Sequence, residues 1–265
     1  MYIMNFPEYI KSLALAEPTK VVHLNNIGKI TPEVLELPLK EAVKYIQKNF
    51  SENQQFQLYK TLSKFYLFKN RMDDRDELME VTKVLKEKMT KKQQEKTCKV
   101  KTNVEEGSIK NREQLLEALN TLYTEQQYKK YIINYLLLYF NVRNQDVDVE
   151  LITKKSDVKD GNYLLIRKKQ IVYIRNHYKT MYKYGQKTYT ITDKKFVSAV
   201  NNFPETKLLH TNNIAREVRN NTIDKLSESQ LTKITMLEMK APELQAISDS
   251  RGTDVKTLLT SYSNC

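Results

Sequence analysis

The sequence predicts an α+β protein, mostly helical, with a helical N-terminal module and a second module built around a small antiparallel sheet. Three observations carry that expectation. Apolar residues recur at helical spacing through most of residues 31–140. The stretch Gly161–Ile191 breaks this rhythm: YLLIRKKQIVYI and the segment Gly185–Ile191 are β-rich, and Arg167-Lys168-Lys169 and the basic turn His177-Tyr178-Lys179-Thr180 interrupt them, as in a meander. Finally, Lys154–Lys195 holds twelve Lys or Arg against three Asp. A sheet this basic has little reason to be so unless it faces an anion; a solvated surface hairpin is the plainer alternative.

In chain order, a short helix is expected around Pro7–Ala16, ended by Pro18. Thr31-Pro32-Glu33 reads as a helix start, with a Thr cap and Pro in the first turn. Pro38 restarts the pattern, and Leu39, Ala42, Val43, Ile46 and Phe50 share one face. Ser51 caps the next helix, whose Phe56, Tyr59, Leu62, Phe65, Tyr66 and Phe68 read as a core stripe rather than a base-stacking surface. Asp73-Asp74 open a longer helix to about Lys96, with Leu78, Val81, Val84, Leu85 and Met89 along one side. The charged run 86–101 is either a solvated helix end or a linker along a phosphate backbone. Glu105-Glu106-Gly107-Ser108 is the clearest break, so the modules are set at 1–105 and 106–265.

The second module opens with a helix capped by Asn111, then with Gln126–Phe140, whose YIINYLLLYF is apolar all round and therefore buried. Arg143 and Asp146 follow at once; as a surface salt bridge they would be unremarkable, but at the end of a buried helix they are held rigidly. VDVELI alternates like a first strand. After the basic sheet come helices at Lys194–Asn202, from Asn213 on, at Glu228–Met239, at Glu243–Ser248 and at Asp254–Tyr262. Arg216 and Arg219 lie three apart on one helical face, where two guanidiniums can chelate a phosphate.

Composition narrows the function classes. The chain has 265 residues, 40% of them hydrophobic, and a net charge of +12. That balance points to a polyanion, most often nucleic acid. Cys98 and Cys265 make no disulfide framework and no metal spacing, which predicts a reducing compartment; His23, His177 and His210 are too scattered for zinc. No signal peptide and no membrane span are expected, so the protein is placed inside the cell.

The order of these features resembles the tyrosine recombinases, or phage-type integrases, and most closely the branch found in large DNA viruses and their parasites. YLLLYFNVRNQDVDVELI resembles the box that holds the first catalytic arginine, here Arg143, with Asp146 as its supporting acid. NYLLIRKKQIVYIRNHYKTMYKYGQKTYTI resembles the hairpin that carries the catalytic lysine, here Lys179. IAREVRNNTIDKL with SRGTDVKTLLTSY resembles the second box, giving Arg219 as second arginine and Tyr262 as nucleophile. Where the family usually has a histidine three residues before that arginine, this chain has Arg216. Where it usually has a histidine or tryptophan about nine residues before the tyrosine, the candidates are Arg251 and Thr253.

The resemblance implies a core-DNA-binding module with linker at 1–105 and a catalytic domain at 106–265 that cleaves and rejoins double-stranded DNA through a 3′-phosphotyrosyl link, without metal or other cofactor. It also implies two or four protomers on DNA, and a protein found in the nucleus, cytoplasm or viral factory, or packaged in a virion. The arginines suit charge building on phosphate oxygens, and the lysine suits protonation of the leaving oxygen. Arg167, Lys168, Lys169, Arg175, His177, Lys183 and Lys187 are the expected DNA-facing cations. A catalytically silent DNA-binding or virion protein on the same fold is the alternative, and a basic helical RNA-binding protein a third.

Overall fold

The structure, a computed structural model, describes residues 5–239, 241–251 and 253–255. It divides into two compact units, residues 1–93 and 94–265. The division falls inside one continuous helix rather than at the Glu105–Ser108 break, because the charged run 86–101 is helical.

In the first unit, α1 (Phe6–Ser12) is capped by Asn5, with Glu8 returning a bond to the Asn5 amide. Pro18 does not end a helix; it lies in the first turn of α2 (Glu17–Ile27), where its missing N–H is harmless. α3 (Pro32–Glu36) and α4 (Leu39–Asn49) follow their prolines as expected. Ser51 and Gln54 form a capping box for α5 (Glu52–Phe68). The long α6 (Met72–Glu105) begins here. Ile10, Ala42, Ile46, Leu62 and Leu78 are fully buried, and Phe65 meets Phe6 edge-on at 5.1 Å, so the aromatic stripe of α5 is core. Of the apolar side expected on α6, Leu78 is buried, whereas Val84 is 65% exposed.

In the second unit, α7 (Arg112–Thr124) starts on an Asn111–Gln114 capping box, and α8 (Tyr128–Phe140) is buried from Tyr131 to Leu138. Asn134 joins α8 to residues 221–223: its amide donates to the Asn221 carbonyl at 2.9 Å and accepts from the Ile223 N–H at 3.0 Å. The strands are β1 (Val149–Ile152), β2 (Asn162–Arg167), β3 (Gln170–Arg175) and β4 (Lys187–Ile191), in the order 1-2-3-4. β2–β3–β4 is the expected antiparallel meander. β1, however, runs parallel to β2, because residues 153–161 carry the chain back to the beginning of β1 instead of turning it in a hairpin, and the sheet is mixed. A short helix, α9 (Met181–Tyr184), lies between β3 and β4. Then come α10 (Lys194–Asn202), α11 (Ile214–Asn221), α12 (Glu228–Leu237) and α13 (Ala241–Arg251). The core runs from α7 and α8 through Leu164, Ile171 and Tyr173 of the sheet to Phe196 and Ile234.

Cys98 is disulfide-bonded, against the expectation of unpaired cysteines; Cys265 lies outside the described residues. No helix among the described residues is long and apolar enough to cross a membrane.

Glu217 of α11 fastens the 205–213 loop. It forms a 2.8 Å ion pair with Lys129 and accepts the N–H groups of His210 and Thr211, each at 3.0 Å. Burial opposes its ionisation, but Lys129 and the two N–H groups outweigh it and hold the carboxyl at about 2, below its ordinary 4.5. A depressed folded value means that the stabilisation is present above pH 4.5 and is lost as pH falls toward 2. Glu217→Gln is therefore expected to lower Tm at neutral pH, and the gap to wild type should close across that window. A gap independent of pH would show that the carboxylate charge is not what stabilises the loop.

Candidate phosphate-binding site

The site is built where the end of α8 meets one end of the sheet. Asn141 terminates α8 in a left-handed conformation (φ 48°), which asparagine tolerates better than most side chains. That turn hands the chain to Arg143 and a 3-10 turn, Asn144–Val147. Strand pairing sets Asn162, Arg175 and Lys187 side by side across β2, β3 and β4. Tyr173 and Arg175, two apart, face the same side of the sheet, as does Lys187 directly opposite Arg175.

Asp146 is the centre. It is fully buried and receives the Arg175 guanidinium at 2.6 Å on Oδ2; Arg175 is likewise fully buried. The same oxygen accepts the Arg143 N–H at 3.0 Å, and the Tyr173 hydroxyl donates to the Asp146 carbonyl at 2.6 Å. Asn162 Nδ2 donates to the Gln145 carbonyl at 3.2 Å and the His177 carbonyl at 2.9 Å, tying the turn to the hairpin loop. Burial is the strongest influence on Asp146 and pushes its carboxyl upward; Arg175, the Arg143 N–H and the guanidiniums of Arg143 and Arg251 act in the opposite sense.

Around this pair stand Arg143, Arg251 and Lys187. The Arg143 guanidinium donates to the Arg251 carbonyl at 2.9 Å, a cation on the C-terminal end of α13. Arg251 is 2% exposed and donates to the Asn141 carbonyl at 2.7 Å, to Thr232 Oγ1 at 2.9 Å and to Glu228 at 2.6 Å. Lys187 is half-buried, and its ammonium lies 5.3 Å from the Tyr184 ring centre and 5.8 Å from that of Tyr178. Burial, then Arg175 and Arg143, push it below the ordinary lysine range, while Asp249 and Asp146 oppose. Arg143 and Lys187 are the partly exposed cations of the cluster.

The other expected site residues are placed as follows. Lys179 and His177 are exposed in the loop between β3 and α9, and Lys183 is exposed on α9. Arg175, expected to face DNA, is instead the buried partner of Asp146. Arg167, Lys168 and Lys169 are exposed at the opposite end of the β2–β3 hairpin, about 17 Å along the strands from Arg175. Arg216 and Arg219 are exposed on α11; Arg219 Nε donates to the Lys225 carbonyl at 3.0 Å. Among the described residues no hydrogen bond or ion pair ties either of them to the cluster. Thr253 bonds through its backbone to Ser248, closing the end of α13. Tyr262 lies outside the described residues.

Lys187, expected only as one of the DNA-facing cations, is a member of the cluster, which the sequence did not reveal. The signal was present in the alternation Tyr173, Arg175 and in the matching Lys187, Tyr189, but it becomes legible only with the β3–β4 register. Comparison with protein-family models, with characterised proteins and with solved structures finds no match.

Proposed function

We propose that this chain is a DNA strand transferase of the tyrosine recombinase type, cleaving and rejoining duplex DNA through a tyrosyl phosphate. The observation that carries this reading is the convergence of Arg143 and Lys187, 44 positions apart, on one buried Arg175–Asp146 pair at the edge of the basic stretch Lys154–Lys195. A rigid guanidinium beside a lysine of lowered basicity suits a phosphodiester that gains charge in its transition state.

In the step proposed, the Tyr262 phenolate oxygen bonds to phosphorus as the bond from phosphorus to the 5′ oxygen breaks. Arg143 holds non-bridging oxygens, and Lys187 gives its proton to the leaving 5′ oxygen. In rejoining, a 5′ hydroxyl attacks, returns its proton to Lys187 and releases the tyrosine. Lys179 then contacts DNA from the loop tip rather than supplying the proton.

A nicked duplex whose short 5′ strand diffuses away after cleavage tests the reading. Wild-type protein is expected to accumulate an SDS-resistant adduct on the 3′ phosphate. Binding without adduct would favour the second reading, a DNA-binding protein without turnover.

The lysine assignment has its own check. A substrate with sulfur in place of the leaving 5′ oxygen expels a thiolate that needs no proton. Lys187→Ala is expected to cleave the ordinary strand about 100- to 10,000-fold more slowly and the sulfur-bearing strand near the wild-type rate. If Lys179→Ala shows that rescue and Lys187→Ala does not, the proton donor is Lys179.

A further inference from the structure

The β3–β4 register brings two cations face to face. Arg175 is the direct partner of Lys187, and like charges opposite each other on one face of a sheet repel. Asp146 answers the first of them through its 2.6 Å bond to the Arg175 guanidinium. The second is met by aromatic rings. The Arg175 guanidinium carbon lies 4.7 Å from the centre of the Tyr178 ring, and the Lys187 ammonium lies 5.8 Å from the same centre. The Tyr184 ring adds a further face, 5.3 Å from that ammonium.

The base of the hairpin loop is built to hold Tyr178 there. Asn162 of β2 grips the backbone of His177, accepting its N–H at 2.8 Å and donating to its carbonyl at 2.9 Å. The residue that follows, Tyr178, is 5% exposed. Its hydroxyl donates to the Gly185 carbonyl at 2.6 Å, across the loop, and Gln186 Nε2 donates to Asn176 Oδ1 at 2.5 Å beside it. Gly185 has φ +65°, a conformation that favours glycine. A tyrosine thus acts twice: the hydroxyl latches the point from which β4 starts, two residues before Lys187, and the ring receives the cations.

The face of an aromatic ring attracts a cation without neutralising it. A carboxylate in the same place would hold the proton on the lysine, whereas a ring leaves it transferable. We propose that Tyr178 is a positioning residue for proton transfer, its ring and its latch on Gly185 together seating the Lys187 ammonium for the leaving 5′ oxygen of the scissile strand. This rests on the strand-transferase reading above, with Lys187 as the proton donor, and adds the residue that aims that donor.

The sulfur-bearing strand separates aiming from mere structure. Tyr178→Leu is expected to cleave the ordinary strand roughly 2- to 30-fold more slowly than wild type, the range of a lost cation–π contact, and the sulfur-bearing strand at the wild-type rate. Tyr178→Phe keeps the ring and loses the latch; it should show a smaller slowing, again on the ordinary strand alone, and it decides the matter if the leucine variant does not fold. Added to Lys187→Ala, Tyr178→Leu should slow the ordinary strand no further, because the group it aims is already gone. Slowing of both strands alike would reduce Tyr178 to a structural residue and overturn the proposal. So would a full additional loss in the Lys187→Ala background, wild-type rates in both Tyr178 variants, or sulfur rescue of Lys179→Ala in place of Lys187→Ala. Each of those results leaves the wild-type adduct, and with it the strand-transferase reading, standing. A wild type that forms no adduct on either strand overturns both.

Discussion

Tyr262→Phe is expected to abolish the covalent adduct on nicked DNA while leaving binding to the same duplex unchanged, and a digest of the wild-type adduct should place the nucleotide on the peptide holding Tyr262. The variant removes one oxygen and, on the proposed function, the nucleophile with it. The chain has seventeen tyrosines, and many are unfit rivals. Burial pushes the hydroxyls of Tyr131, Tyr135 and Tyr173 far above the ordinary tyrosine range, and that of Tyr66 to about 12, which disfavours the phenolate that must attack. Tyr182 and Tyr184 are exposed near the cluster's loop and are the real competitors. An adduct that persists in Tyr262→Phe and disappears in Tyr182→Phe or Tyr184→Phe would move the nucleophile into the hairpin loop and end the assignment of Tyr262.

Asp146→Ala is expected to destabilise the second unit by about 3–5 kcal/mol, because it strands a buried guanidinium. Neither side chain of the Asp146–Arg175 pair reaches solvent. For a unit of this size that corresponds to a fall in Tm of roughly 6 to 20 °C. The pair as such is weak evidence for stability, since taking two charges out of water offsets most of their attraction. Removing both should therefore hurt less than removing one, and Asp146→Ala/Arg175→Met is expected to recover a large part of the loss. Thermal unfolding followed by circular dichroism measures all three. If the single variant melts with wild type, the buried charge is not what organises this end of the sheet.

Much of the fold could be read from one sequence. Helix starts were marked by local chemistry, as at Asn111 and Ser51, and the apolar run in α8 announced burial without any partner in view. The meander followed from residue type and its two basic turns. What failed depended on long-range pairing. β1 lies parallel to β2 because of where residues 153–161 lead, and no local signal states that. Arg175 reads as one more surface cation in a basic hairpin; only its contact with Asp146, 29 positions earlier, reveals a core residue. Pro18 failed for a different reason: proline both ends and begins helices, and Ala16-Glu17 before it gave no cap to decide between them. Within the site, Arg143 and Asp146 were legible because they follow a buried helix at once, whereas Lys187 was hidden in a row of similar lysines.

The strand pairing that seats Lys187 has a consequence for how such a hairpin can change. The lysine's position is fixed by β4 lying against β3, with Tyr189 opposite Tyr173 and both rings against Phe140. Residues 179–184, which carry the exposed Lys179, Tyr182 and Lys183, hang outside that pairing. Tyr184, whose ring lies 5.3 Å from the Lys187 ammonium, bounds the part that can change, so substitution at 179, 182 and 183 leaves the strand register that seats Lys187 intact. On the proposed function, a chain of this design can alter what it touches and keep the chemistry seated on the strands.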